Sequence, residues 1–165
     1  MSQLKLLFEE LGFSDVETFI ASGNVIFSTT AKDALKLETK IAKHLKSKLG
    51  YEVDTFVRTA EDVIAVARSK VFEKEAAQAH AVHVCFLHEP LDATTARKLN
   101  QVRGKHDEFK SAGREYYWLC RIKVNESDIW KSPEMKALKL PPCTMRNVTS
   151  LRKLVEKHLE EADSG

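Results

Sequence analysis

VHVCFLHEPLDATTARKLNQVRGKHDEFKSAGREYYWLCR, residues 82–121, decides how the rest of the chain is read. Val82–Leu87 is rich in β-branched and apolar residues and reads as a strand, and Asp92 to Val102 reads as a helix. Glu108–Lys110 and Tyr116–Arg121 then form a hairpin that turns near Ala112-Gly113. Downstream, Asp128 to Leu140 reads as a helix, Thr144 to Arg146 as a short strand and Val148 to Glu160 as a closing amphipathic helix. The order is βαββαβ, the split βαβ string of ferredoxin-like folds.

The first half gives the same string without its opening strand. Leu4, Leu7, Phe8 and Leu11 repeat at helical spacing from close to Met1 and stop at Gly12, a residue suited to ending a helix. Val16–Ile20 and Val25–Thr29 read as strands joined through Ser22-Gly23-Asn24. Ala34, Leu37, Ile41, Leu45 and Leu49 then line one face of a helix that ends at Gly50, before a strand at Val53–Val57. Glu61 to Ser69 and Phe72 to Gln78 read as a helical connector. The expected class is α+β: two ferredoxin-like subdomains over residues 1–58 and 80–165, joined through 59–79. In a split βαβ sheet the opening strand is central, so its absence leaves its neighbours with unpaired backbone groups. A rearranged sheet, a longer natural gene, or a strand lent by a second molecule would each answer that, the last as a homodimer formed through strand edges.

With 165 residues, the chain is long enough to bury about 70% of its unfolded surface. It has no apolar run near the ~18 residues of a membrane span, and Met1-Ser2-Gln3-Leu4-Lys5 lacks a signal-peptide pattern. The expected location is the cytoplasm, with no membrane partner. A net charge of +2 hides an asymmetry: Lys5 faces Glu9, Glu10, Asp15 and Glu17 early on, whereas Arg97 to Lys157 holds 15 Lys and Arg against 7 Asp and Glu. Such a block attracts phosphate-bearing partners through its summed field, although basic residues dispersed among acids also describe an ordinary solvated surface.

The runs LGFSDVETFIASGNVIFST (Leu11–Thr29) and CTMRNVTSLRKL (Cys143–Leu154), with Tyr51-Glu52-Val53-Asp54 leading to Arg58, resemble the bacterial family called domain of unknown function 1697. The resemblance implies two α+β subdomains of ferredoxin-like type in a cytosolic protein, and no established activity. It also implies a strand and a glycine-rich basic loop ahead of the first helix, which this sequence lacks. A Ser-Lys pair near the last strand of that family places Lys131, in Trp130-Lys131-Ser132-Pro133, among the candidate residues.

The strongest binding candidates are Thr144, Arg146 and Asn147, immediately before the closing helix. Asn147 suits a helix N-cap, and a neighbouring arginine can fork onto a phosphate or carboxylate, with Arg152 extending the positive patch. A capped helix with solvated charges accounts for the same residues. Ser22, Gly23 and Asn24 can offer a hydroxyl and open backbone to a small anion, and equally form a plain turn. Tyr116, Tyr117 and Trp118 among basic residues suggest base stacking, yet strand alternation buries at least one pair. Cys85, Cys120 and Cys143 show no CxxC pair and read as packing residues. The six histidines have no metal-ligand spacing, and with no P-loop, GxSxG or dinucleotide fingerprint neither metal nor cofactor is expected. The leading expectation is a non-enzymatic module that binds a phosphorylated ligand or nucleic acid through the basic half. The alternatives are an enzyme acting on a sugar or nucleotide phosphate, and a protein-interaction module that pairs through strand edges.

Overall fold

The structure is a computed structural model that describes residues 2–19, 24–69, 72 and 81–159. It divides into two compact units, Met1–Arg58 and Thr59–Gly165. Together they have an α+β architecture of helices and antiparallel sheets.

In the first unit α1 (Ser2–Glu10) is followed by a hairpin of β1 (Ser14–Phe19) and β2 (Asn24–Ser28), then by α2 (Ala34–Leu49). Asp33 caps α2 by accepting from the Lys36 N–H, and Gly50 ends it at φ 84°, a left-handed conformation that side chains disfavour. The apolar stripe of α2 meets α1 and the hairpin in a core of Leu7, Phe8, Phe13, Val16, Leu37, Ile41 and Leu45, where Phe13 stacks on Phe27 at 4.4 Å.

Val53–Val57 forms no strand, contrary to the reading from sequence. A strand exists by its ladder. In the split βαβ order this segment would pair with the opening strand, and no described residue occupies that place. Glu38 takes over part of the task. Buried on α2, its carboxylate accepts from the Val57 N–H at 2.8 Å and lies 3.5 Å from the buried Arg58 guanidinium. The Val53 and Val57 side chains still pack against the core.

The second unit opens with α3 (Ala60–Ala67), capped by Thr59, and continues through β3 (Ala81–Leu87), α4 (Ala93–Gln101), β4 (Asp107–Ala112), β5 (Glu115–Cys120), α5 (Pro133–Leu138), β6 (Cys143–Asn147) and α6 (Val148–Leu154). Its sheet has the order β4-β5-β3-β6 with every neighbouring pair antiparallel. β5 thus lies between β3 and β4, which splits that βαβ unit. The expected single helix from Asp128 to Leu140 is broken: a 3-10 turn at Ile129–Lys131 precedes α5, where Ser132 caps the Met135 N–H and Pro133 takes the first helical position. Proline has no N–H to continue an upstream helix, so the second begins afresh. The closing helix is regular only to Leu154 and widens into a π-type turn at Val155–Leu159. The expected Ser22-Gly23 turn and the connector helix beyond Phe72 lie outside the described residues.

Both sheet faces are covered. Cys85, Leu87, Phe109, Tyr116, Trp118 and Cys120 pack with Leu99 of α4, Met135 of α5 and the turn residues Ile129 and Trp130. The opposite face carries Val84, Phe86, Tyr117 and Leu119, all buried, with α6 against β3 and α3 against α6. Tyr116, Tyr117 and Trp118 are 1%, 4% and 1% exposed, so the base-stacking surface suggested by the sequence does not exist. Among the described residues no helix is long and apolar enough to cross a membrane.

Candidate functional site

Among the described residues β6 pairs only with β3, which makes it an edge strand, and its alternation sorts the candidates. Arg146 pairs with Val84, and Thr144 with Phe86, which puts both side chains on the face shared with Tyr117. Arg146 Nη1 donates to Thr144 Oγ1 at 2.7 Å and to the Met145 carbonyl at 2.8 Å, which fixes the guanidinium beside the strand. Partial burial weakens its hold on the proton, because desolvation disfavours the charged form. Asn147 follows and caps α6, its Oδ1 accepting from the Thr149 N–H at 2.8 Å.

The other candidates are placed elsewhere. Arg152 Nε donates at 2.8 Å to the carbonyl of Ala67, the last residue of α3, so this cation binds a helix C-terminus and joins α6 to α3. Lys131 belongs to the 3-10 turn over the opposite sheet face, where Trp130 meets Phe109 and Trp118 edge-on. Asn24 is the first residue of β2, paired with Phe19, in the other unit. Ser22 and Gly23 lie outside the described residues. Of the eight sequence candidates, the structure joins Thr144 and Arg146 by a hydrogen bond, while Asn147, next in the chain, caps α6.

A second cluster escaped the sequence reading. Cys85 pairs with Tyr116 on one side and Met145 on the other, and Cys143 lies two residues from Met145 on the same face. The Tyr116 hydroxyl reaches Cys143 Sγ at 3.5 Å, and Cys85, beside Tyr116 in the ladder, belongs to the same packed cluster. These residues come from three strands, so only the ladder register brings them together. Among the described residues no group of three or more His, Cys, Asp or Glu is arranged to hold a metal ion.

The chain is similar in structure to the conserved bacterial protein SP0830 from Streptococcus pneumoniae, with a TM-score of 0.70 and 20% identity over 95% of this chain and 87% of that one. At that identity the likeness concerns the fold. No curated protein matches the sequence. The sequence model of the family described as "Protein of unknown function (DUF1697)" matches residues 1–117, ending before the Cys143–Leu154 run that also resembles the family. A match over that share of the 165 residues shows that the chain belongs to the DUF1697 family.

Proposed function

We propose that this chain is a non-enzymatic cytoplasmic module that binds a small phosphorylated ligand at the β6 edge, with Arg146 as its anchoring cation. The observation that carries the reading is the preparation of that guanidinium: half-buried on an edge strand and oriented by Thr144 and the Met145 carbonyl. Partial desolvation strengthens attraction to an anion, and a planar fork held in place loses little entropy when it binds one. The surrounding excess of Lys and Arg from Arg97 to Lys157 draws anions toward this half of the chain. With the Tyr116, Tyr117 and Trp118 rings buried, β5 offers no base-stacking surface to nucleic acid.

Thermal unfolding against sugar phosphates, mononucleotides and short oligonucleotides tests this. A ligand at ~100 times its dissociation constant stabilises the native state by about 2.7 kcal/mol. Arg146→Ala is expected to abolish the shift and Arg146→Lys, which keeps the charge and loses the fork, to reduce it. Stabilisation by oligonucleotides alone, falling steeply with salt, would move the reading to nucleic acid, and turnover of the bound phosphate would move it to an enzyme. A shift that survives Arg146→Ala refutes the site.

A second reading is favoured by one observation, the Val53–Val57 segment, which is rich in strand-forming residues and belongs to no ladder. Such backbone can pair with a strand from a second copy of the chain. Sedimentation velocity across a dilution series would then show a dimer that Thr55→Pro weakens.

A further inference from the structure

Cys143 opens the edge strand β6 after the exposed Pro141 and Pro142 and is itself partly exposed, whereas Cys85 behind it is fully buried. The Tyr116 hydroxyl lies 3.5 Å from Cys143 Sγ, and Cys85, paired in the ladder with Tyr116 and Met145, belongs to the same packed cluster. The cluster that holds Cys143 also includes the apolar Leu87, Met135, Trp130, Leu138, Leu140 and Met145. Among the described residues the titratable groups that act on Cys143 are Cys85 and Tyr116.

We propose that Cys143 is a redox-reactive site, whose sulfur, seated between the Tyr116 hydroxyl and the Cys85 thiol, is oxidised by a hydroperoxide to a sulfenic acid. The charge belongs on Cys143 because its sulfur is the one nearer water. A negative charge on fully buried Cys85 would lose its solvation, whereas one on partly exposed Cys143 keeps part of it and accepts from the Tyr116 hydroxyl. In agreement, the neighbouring Cys85 thiol, with help from Tyr116 and against burial, lowers the Cys143 pKa to about 6, while Cys85 and Tyr116 are pushed up. Depression by hydrogen bonds means that the thiolate forms as pH rises through about 6, so the site is active at neutral pH. In the reaction the thiolate attacks one peroxide oxygen, the S–O bond forms and the O–O bond breaks. Sulfur loses two electrons, the peroxide gains them, and the far oxygen departs as hydroxide from hydrogen peroxide, or as alkoxide from an organic hydroperoxide, and is protonated by the solvent buffer.

The test is alkylation of the full chain by iodoacetamide across pH, followed by peptide mapping. Cys143 is expected to label first, with a midpoint near the value of about 6, and Cys85 and Cys120 to label only on unfolding. Cys85→Ala is expected to raise the midpoint and slow labelling at low pH by roughly tenfold, in line with the smaller thiolate fraction. Cys85→Ser, which keeps a hydroxyl donor, restores most of it. Tyr116→Phe acts in the same direction as Cys85→Ala, and its folding is checked by circular dichroism. Hydrogen peroxide at neutral pH should yield a dimedone-trapped sulfenic acid at Cys143 and none in Cys143→Ser. A wild-type midpoint near the ordinary thiol value of about 8.5, or trapped oxidation that maps to Cys85 or Cys120, overturns the proposal.

Discussion

At the residue scale, the second unit depends on one buried carboxylate. Asp107, 4% exposed, opens β4 and accepts from the Trp118 indole Nε1–H at 2.7 Å and from the Ser127 hydroxyl at 2.9 Å. It also explains Gly104: a Cβ there would stand 2.8 Å from Ile129 and 2.9 Å from the Asp107 carboxylate, closer than side-chain atoms pack. Asp107→Ala would leave a buried indole N–H unpaired within an aromatic cluster. The expected loss is about 2–3 kcal/mol, read as a lower urea midpoint, with Asp107→Asn milder because it keeps an acceptor. Nothing in the sequence around Asp107 marks it, since its partners are 11 and 20 residues away. Arg146 and Asn147 were legible as candidates because a cap and a fork are local chemistry. Arg152 was equally legible as a cation, but its bond to Ala67, 85 residues distant, required the fold.

At the element scale, the helices follow their local signals closely. Asp33, Thr59, Asp92 and Ser132 each accept from a backbone N–H three residues on, and Gly50 ends α2. The Asp128–Leu140 helix was misread because its apolar spacing runs through Ser132-Pro133, and the break at proline outweighs the periodicity. Val53–Val57 was misread for a different reason: β-branched composition describes a side chain's fit to a sheet, but a strand requires a partner. Glu38 is the residue that compensates. Glu38→Ala would remove the carboxylate that faces the buried Arg58 guanidinium and the acceptor of the Val57 N–H, with an expected loss of about 3–5 kcal/mol in the first unit, measured by denaturant unfolding. Glu38→Gln, able to accept from Val57 but uncharged, should fall between.

At the scale of the whole molecule, the two units have separate cores, one built on α2 and a hairpin, the other on a four-stranded sheet with both faces covered. Ile41, fully buried in the first, offers a direct test. Ile41→Ala is expected to cost about 2–5 kcal/mol. Native-state hydrogen exchange should show that loss at residues 2–58 and unchanged protection along β3 and β5; equal loss in both would show that they unfold as one.

The sequence by itself determined the α+β class, the order of most elements, their caps and the family, because helix periodicity, turn chemistry and capping act over a few residues. The tertiary structure decided that Val53–Val57 lacks a ladder, that Tyr116, Tyr117 and Trp118 are all buried, and that Cys143 meets Tyr116 beside Cys85. Each of those depends on which strand lies next to which and on what covers each sheet face, and such long-range pairings leave no periodic trace in the chain.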